Sequence, residues 1–293
     1  MIEAAKKSLF TRFRKTDDNT EQKEMTFMDH LEALRWHLVR SLIAWIALSI
    51  VIFVFRDWVF DKIILAPRSI HFISYRAMCS FGHFIHIGDA LCMPPVNIPL
   101  QFTTVNGPFV AALNISMIGG FIAAFPYIFY EVWKFIKPAL STKELKYGGK
   151  SILWVSFCLF LGAAFGYYVL APFTFNFLAN FKLGTENAIE FKPTLDDYIG
   201  TLTNLLLGCG LAFELPIIAV VLAKVGLITA KFLKTYRRYA YVLILVLAAI
   251  LTPSPDWISQ AIVAMPLLVL FEISIMLVKN IDKKKAIIEK QWE

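Results

Sequence analysis

The sequence predicts an all-α integral membrane protein with six transmembrane helices, and three observations support this fold class. Apolar residues make up 58% of the 293 residues, and the mean hydropathy is +0.62, whereas soluble domains are about 45–50% apolar. Long apolar segments recur six times along the chain. The basic residues concentrate in alternate loops between these segments, as they do in multi-span membrane proteins.

Six spans are predicted from the apolar segments. A helix that crosses a hydrocarbon core of ~30 Å needs about 20 apolar residues, because each residue adds ~1.5 Å. The predicted spans lie near residues 36–55, 109–133, 151–170, 198–223, 239–251 and 258–278. The fifth is short, and only "TPSPDW" separates it from the sixth. This pair is either a re-entrant hairpin or two short spans in a locally thinned bilayer.

The distribution of charge predicts the orientation. Of the 29 Lys and Arg residues, 23 fall in residues 1–40, in the second and fourth connections and in the C-terminal tail. Cytoplasmic loops carry such an excess. The sequence therefore predicts cytoplasmic N- and C-termini, with a cytoplasmic segment 1–35, a membrane domain 36–278, a long outer loop 56–106 and a cytoplasmic tail 279–293. A re-entrant fifth and sixth pair would leave the tail on the same side.

An amphipathic helix is predicted in "MTFMDHLEALRWHLVRSLIAW", before the first span. Its apolar stripe at helical spacing consists of Phe27, Leu31, Leu34 and Leu38. Polar side chains lie beside the stripe, which is typical of a helix on the membrane surface. The alternative is an ordinary juxtamembrane helix with a Glu32–Arg35 pair.

The fourth span, "LLLGCGLAFELPIIAVVLAK", contains the carboxylate of Glu214 at its centre. Ionisable residues within a membrane are unfavourable and usually face a cavity, a partner or a proton path. Pro216 removes a backbone donor two residues later and predicts a bend or break there. Glu214 is thus either a carboxyl group bonded to backbone that the bend leaves unpaired, or the polar centre of a water-accessible face.

Four prolines are predicted to mark kinks or turns: Pro67, Pro126, Pro138 and Pro216. In the outer loop, Cys79 and Cys92 lie among three histidines without a familiar zinc-finger spacing. A Cys79–Cys92 disulfide is favoured if this loop faces an oxidising compartment. Unpaired thiols or a metal site are the alternatives. Cys158 and Cys209 lie within spans and are predicted to be packing residues.

Four segments, in order, resemble signatures of the TatC family, the multi-span core of the twin-arginine protein translocase. "HLEALRWHL" resembles HLxELRxRL near the start of the family. "FPYIFYEVWKFIKPALSTKE" is similar to the end of its second span and its first cytoplasmic loop. "GLAFELPII" resembles FGxxFExP of the fourth span, and "LTPSPDWISQAIVAMPLLVLFEISI" resembles the TPPDxxSQ run between spans five and six. The resemblance to the family extends over about residues 27–278.

The resemblance implies a concave bundle that binds the twin-arginine signal peptides of folded cargo. Two guanidinium groups call for carboxylates, because Arg–carboxylate pairs are charge-assisted and often bidentate. By resemblance, Glu32 and Glu144 supply them at the cytoplasmic face, with Phe135 packed beside the site. A solvated loop charge is the alternative for Glu144, and interfacial anchoring is the alternative for Phe135.

The resemblance also implies partners within the membrane. Glu214, Thr252 and Gln260 are expected to contact single-span subunits of the TatA or TatB type, and the chain is expected to form a homo-oligomer within the complex. Satisfaction of helix-end backbone groups is the alternative for the Thr252 region. The implied location is the bacterial inner membrane, with lipid contacts and no nucleic acid. Transport would use the proton-motive force.

Two departures from the family pattern concern the local charge. The family often has a second basic residue where His37 stands. Its loop after the glutamate is often richer in arginine, whereas this chain has "LKYGGK" after Glu144. Neither departure removes a carboxylate.

No enzymatic activity and no cofactor are predicted, because the cytoplasmic segments contain no nucleotide-binding glycine-rich loop and no nucleophile–base pair. The alternative function is a proton-coupled small-solute carrier centred on Glu214. Such a carrier would show a repeat-related pair of broken helices and a charged site at the midplane. Only one broken helix is evident, and most polar groups cluster at the cytoplasmic face.

Overall fold

The computed structural model describes residues 27–69, 72–84, 100–136, 148–180, 192–252 and 257–290, which are helical apart from short connections. Within these residues, five helical stretches are long and apolar enough to cross a membrane: Glu32–Val54, Gly107–Ile136, Ile152–Asn180, Leu195–Lys224 and Gln260–Lys283. The all-α membrane class is thereby confirmed. The fifth predicted span is a helix of 15 residues, or ~22 Å, which is shorter than these five.

The described residues form the following α-helices. In the first half they are α1 (Phe27–Val54), α2 (Arg56–Val59), α3 (Ile73–Phe84) and α4 (Gly107–Ile136). In the second half they are α5 (Gly148–Phe165), α6 (Ala171–Asn180), α7 (Leu195–Ala212), α8 (Leu215–Val225), α9 (Ala230–Thr235), α10 (Arg237–Leu251) and α11 (Trp257–Lys290). A π-helical turn (Phe60–Ile64) and a 3-10 turn (Ala66–Arg68) follow α2.

The first helix corrects one expectation from the sequence. A separate surface helix is predicted before the first span, but Phe27–Val54 is one continuous α-helix. The physical reason lies in its composition, because these 28 residues include no glycine and no proline, the two residues that interrupt helices most readily. The polar residues near Glu32 therefore lie on the first turns of the spanning helix itself.

The third span continues further than the sequence predicts. After α5, a π-helical turn (Gly166–Leu170) leads directly into α6, so the helical stretch reaches Asn180 rather than Leu170. Pro172 lies in the first turn of α6, where its missing N–H group is tolerated. The wider π turn changes the hydrogen-bond register just before this proline. The chain can thus pass a proline without ending the span.

The fourth span is interrupted at its centre. α7 ends at Ala212 and α8 begins at Leu215, with Phe213 and Glu214 in the turn between them. Pro216 occupies the first turn of α8, where a proline is favourable. α8 ends at Val225. The next residue, Gly226, has a φ of +90°, which is the left-handed conformation that glycine adopts readily after a helix end.

The helices pack around a core centred on α7. α7 packs against α4, α5 and α10, and its fully buried leucines belong to one apolar cluster with residues of α4, α10 and α11. Two glycines, one in α5 and one in the π-helical turn that follows it, permit the close approach to α7. A Cβ atom on Gly166 would lie 2.7 Å from the Leu205 carbonyl oxygen, and one on Gly162 would lie 2.9 Å from the Phe213 Cβ. Small residues at such crossings let helix backbones pack closely in membranes.

The bundle has two ends. The near end carries the start of α1, the end of α4 and the α8–α10 connection, and the far end carries the end of α1 and the start of α4 and α7. At the far end, three phenol groups donate hydrogen bonds to the turns after α2: Tyr167 to the Ile63 carbonyl at 2.6 Å, Tyr198 to Ile64 at 2.8 Å and Tyr75 to Pro67 at 3.0 Å. An isolated parallel pairing of Gln101 with Thr194 joins the segments that precede α4 and α7.

Candidate functional site: the near end of the bundle

The near end contains a buried carboxylate between α1 and α4. Glu131 is 3% exposed. Its Oε2 atom lies 2.5 Å from Nδ1 of His37, and its Oε1 atom accepts a hydrogen bond of 3.0 Å from the Tyr127 hydroxyl. Buried carboxylates are stable only when such partners replace water. The three side chains therefore join α1 to α4 at the level of the predicted signal-peptide site.

Phe135 and Glu32 both lie near this network. Phe135 follows Glu131 by one helical turn, is half-buried, and places its ring edge against His37, with ring centroids 6.3 Å apart. Glu32 is exposed on α1, five residues before His37. The structure thus brings two of the three predicted binding residues to the same end of the same helix pair. Glu144, the third, lies outside the described residues.

Comparison with the signature HLxELRxRL refines the assignment of Glu32. In "HLEALRWHL", Glu32 occupies the variable third position, and Ala33 occupies the position of the signature glutamate. Neighbouring residues of a helix point about 100° apart. The structure agrees with this offset, because Glu32 is exposed whereas Ala33 and His37, one turn apart, are half-buried. Glu32 is therefore a candidate because of its exposed carboxylate at this end, rather than because of the match.

A second carboxylate at the near end lies between α10 and α11. Glu272 accepts a hydrogen bond from Arg237, with Nη2 and Oε2 2.5 Å apart, and another from the Tyr241 hydroxyl. Nearby, the Asp282 carboxylate accepts a hydrogen bond of 2.7 Å from the Ala230 N–H group at the start of α9. These contacts fix the short helix α10 and the α9 turn against α11. Glu272 therefore holds α10 against α11 through its bonds to Arg237 and Tyr241.

Glu214 lies inside the bundle rather than on an open face. It is 6% exposed, in the turn between α7 and α8. The Oε1 atom is buried without a hydrogen-bond partner among the described residues. The backbone of Leu159 and the thiol of Cys158, both on α5, lie beside it. The expectation of a water-accessible carboxylate is thus corrected for this conformation, because the break before Pro216 and the close α5–α7 packing enclose the side chain.

Thr252 and Gln260 satisfy backbone groups at the far end of α10 and α11. The Thr252 hydroxyl donates to the Ala248 carbonyl at 2.9 Å, one turn earlier in the same helix. The Gln260 amide donates across the helix pair to the Leu245 carbonyl at 3.1 Å. In this conformation both side chains satisfy backbone carbonyl groups near the helix ends, which is one of the two roles that the sequence left open for the Thr252 region.

The remaining predicted residues divide between described and undescribed segments. Pro67 is buried in the 3-10 turn at the far end, and Pro126 lies within α4 without interrupting it. Cys79 on α3 is disulfide-bonded, whereas Cys158 and Cys209 are free. Cys92 and Pro138 lie outside the described residues, so the Cys79–Cys92 pairing stays a prediction. Within the described ranges, no three His, Cys, Asp or Glu side chains come together as metal ligands.

Sequence reasoning missed Glu131. The signal was present, because Glu131 is a carboxylate within the second apolar segment, and intramembrane carboxylates mark sites of function. Its spacing was also informative, since Tyr127 and Phe135 lie one helical turn before and after it. What the sequence lacked was the register of α1 against α4, which identifies His37 as the partner.

Comparisons with known proteins extend these observations. The family model for Sec-independent protein translocase protein (TatC) matches residues 29–266. A Sec-independent protein translocase protein TatC from Blattabacterium sp. subsp. Periplaneta americana is 38% identical over 266 residues, which is 90% of this chain and 99% of that protein. Its counterpart from Desulforapulum autotrophicum is 32% identical over 265 residues, covering 90% of this chain and 88% of that protein.

Solved structures show the same fold. A crystal structure of the twin arginine translocase receptor TatC matches with a TM-score of 0.64 and 32% identity, covering 85% of this chain and 98% of that chain. A crystal structure of that receptor in DDM matches with a TM-score of 0.66, also at 32% identity, covering 85% and 99%. The fold and these matches define a multi-span α-helical membrane protein of a protein-transport system. The chain belongs to the TatC family of Sec-independent protein translocase proteins.

Proposed function

We propose that this chain is the receptor subunit of a twin-arginine translocase and binds the twin-arginine signal peptides of folded proteins at the near end. The observation that carries the proposal is the match to a crystal structure of the twin arginine translocase receptor TatC. The match covers 85% of this chain and 99% of the solved chain. The resemblance of four separate sequence segments supports the same assignment. The proton-coupled carrier centred on Glu214 is not favoured, since the relatives are translocase proteins.

The proposed topology has six crossings, with both termini and the near end in the cytoplasm of a bacterial cell and the chain in its inner membrane. α10 is the additional span. Its 15 residues pack against α11, and the break between them lies at the far end. The charge distribution supports this orientation, because the excess of Lys and Arg falls in the sequence segments that this topology assigns to the cytoplasm. A helix of ~22 Å spans where the bilayer thins locally.

In the proposed recognition, Glu32 and Glu144 bind the two arginines, and Phe135 packs beside them. The exposure of Glu32 and the position of Phe135, both at the near end of the α1–α4 pair, support this role. A carboxylate in a basic surface selects an arginine pair, because the surrounding charges disfavour cations that lack bidentate geometry.

We infer that the membrane-embedded groups serve assembly. Glu214, Thr252 and Gln260 contact single-span partners of the TatA or TatB type, and several copies of the chain assemble in the complex. The unpartnered Oε1 atom of Glu214 supports this inference, because a buried carboxylate oxygen gains from a new donor. The chain moves cargo with the proton-motive force, without a cofactor and without a covalent reaction of its own.

Site-specific crosslinking of a twin-arginine signal peptide to the protein in membranes tests the receptor function. We expect strong crosslinking of the peptide with two arginines and weak crosslinking with two lysines, because lysine lacks the planar fork. Glu144→Ala and Glu32→Ala should each weaken the arginine-dependent signal, and Asp57→Ala, an exposed carboxylate at the far end, is the matched control. Equal crosslinking of both peptides to the wild-type chain and all variants would contradict the proposal and favour the carrier.

A further inference from the structure

Glu131 has no role in the recognition described so far, although it lies within the same helix pair. The inference that follows rests on the proposed function. Glu131 is 3% exposed and holds two partners, His37 from α1 and Tyr127 from its own helix. Burial of a carboxylate at a helix contact is unfavourable, and an apolar pair would pack there without that penalty. Its presence therefore points to a task other than packing.

Two departures of α1 from the family signature bear on this carboxylate. The signature glutamate is replaced by Ala33, and the signature's second arginine is replaced by His37. Residues four apart lie on one face of a helix, and the His37–Glu131 contact shows that this face is turned toward α4. At these two positions α1 thus presents no carboxylate to the site, and the carboxylate that faces them belongs to α4.

The contact between His37 and Glu131 is one that a guanidinium group can replace. A carboxylate has about four acceptor positions, and the imidazole of His37 offers a single ring nitrogen to it. An arginine offers five N–H donors in a planar fork and pairs with carboxylates bidentately. The Tyr127 hydroxyl bonds the other oxygen, Oε1, and can stay in place during the exchange.

The surroundings of Glu131 favour a planar cation. The rings of Tyr127 and Tyr130 are 42% and 44% exposed, and Phe135 lies one turn further on. Guanidinium groups stack on such rings. Arg40 and Lys134 are close enough to act electrostatically on Tyr127 and Glu131, respectively. Their positive charge repels any cationic ligand. A lysine cannot offset this repulsion with a bidentate pair of hydrogen bonds to the carboxylate, whereas an arginine can.

We propose that Glu131 is a specificity-determining residue of the signal-peptide site, which binds one arginine of the twin pair in exchange for His37. The exchange breaks the His37–Glu131 hydrogen bond and forms two guanidinium–carboxylate hydrogen bonds. Glu131 thereby supplies the carboxylate that the signature places on α1 and that Ala33 lacks. In this refinement of the proposed recognition, Glu32 and Glu144 act together on the other arginine.

Crosslinking of the twin-arginine and twin-lysine peptides to full-length protein variants in membranes tests this proposal. Glu131→Gln should lower crosslinking of the twin-arginine peptide about tenfold, as expected for a lost charge-assisted pair, and leave the twin-lysine signal unchanged. His37→Arg should have a similar effect, because a permanent bidentate cation holds Glu131. Adding Ala33→Glu to His37→Arg recreates the signature pattern and should restore binding.

Glu272→Gln is the matched control, since Glu272 is also bonded to a tyrosine and a basic side chain at the near end, and it should bind like the wild type. A wild-type ratio of arginine to lysine crosslinking in both Glu131→Gln and His37→Arg would overturn the proposal. If Glu131→Gln fails to accumulate in the membrane, His37→Arg, which keeps the carboxylate, decides. Equal crosslinking of both peptides to the unmodified chain would instead reject the receptor function itself.

Discussion

At the residue scale, the far end depends on hydroxyl groups of tyrosines. The segment 60–68 connects α1 to the outer loop through irregular turns, whose carbonyl groups lack regular α-helical partners. Phenols of α3, α7 and the turn after α5 donate to these carbonyls. Burial also raises the pKa of the Tyr75 phenol on α3, so this group remains a donor at neutral pH. The bonds from Tyr167 and Tyr198 join residues that are 104 and 134 positions apart in the sequence.

Tyr198→Phe is therefore expected to destabilise the protein. Tyr198 is 2% exposed, and its hydroxyl is the donor to the Ile64 carbonyl. Its removal leaves a buried acceptor unpaired, which costs about 1–3 kcal/mol. Thermal unfolding in detergent should show a lower midpoint. Tyr239→Phe, which alters a ring that is 59% exposed, should leave the midpoint unchanged, and equal effects of the two changes would argue against the role of the Tyr198 hydroxyl.

At the element scale, the close crossing of α5 and α7 determines how the broken span is supported. Cys209 of α7 lies against Gly162 of α5, and Leu205 lies against Gly166 in the π-helical turn after α5. The turn with Glu214 begins three residues after Gly210. The crossing therefore places α5 directly over the break. A wider separation would expose the turn and leave its backbone groups without packing.

Two glycine-to-alanine substitutions should have opposite signs. Gly162→Ala places a Cβ atom 2.5 Å from the Cys209 carbonyl oxygen, so the helices must separate, and we expect a loss of about 1–3 kcal/mol. Gly200→Ala on α7 meets nothing within 4 Å, and the gain in helix propensity should stabilise the protein by up to ~1 kcal/mol. Thermal unfolding of both variants in the same detergent measures the difference. Destabilisation of similar size in both would contradict the close crossing.

The helices could be predicted from the sequence where their amino-acid composition determines them. Apolar length identified the five long helical stretches, and Pro216 identified the broken one. The continuity of α1 was also encoded, in its lack of glycine and proline, but an amphipathic stripe suggested a separate helix. The extension to Asn180 was not predictable, because a proline at position 172 normally ends a helix and only the π turn before it permits passage. Partners such as His37–Glu131 and Tyr198–Ile64, which are 94 and 134 residues apart, depend on tertiary register.

At the scale of the whole molecule, the topology depends on the short helix α10. In the part of the chain that the structure describes, five helical stretches have the length of full spans. The sixth crossing depends on whether the break between α10 and α11 reaches the outer surface. Trp257, the first residue of α11, is 78% exposed at this break. A label attached at this position therefore shows on which side of the membrane the break lies.

Labelling of introduced cysteines with a membrane-impermeant maleimide in intact cells distinguishes two crossings from a re-entrant hairpin. Trp257→Cys and Arg76→Cys, both at the far end, should be labelled from outside, since α10 then crosses completely. Lys231→Cys in α9 and Lys283→Cys in α11 should react only after permeabilisation. Protection of Trp257→Cys in intact cells, together with labelling of Arg76→Cys, would show a hairpin that enters and leaves on the cytoplasmic side.

The two ends of the bundle differ in the kind of bond that holds them. Phenol–carbonyl bonds and a backbone pairing join the far end, whereas carboxylates paired with histidine, arginine and a helix N-terminus join the near end. Neutral bonds between buried groups respond little to ionic strength, whereas salt screens the partly exposed Arg237–Glu272 pair. The two ends therefore differ in their response to the surrounding solution. Added salt weakens a contact between α10 and α11 at the near end and leaves the far-end bonds nearly unchanged.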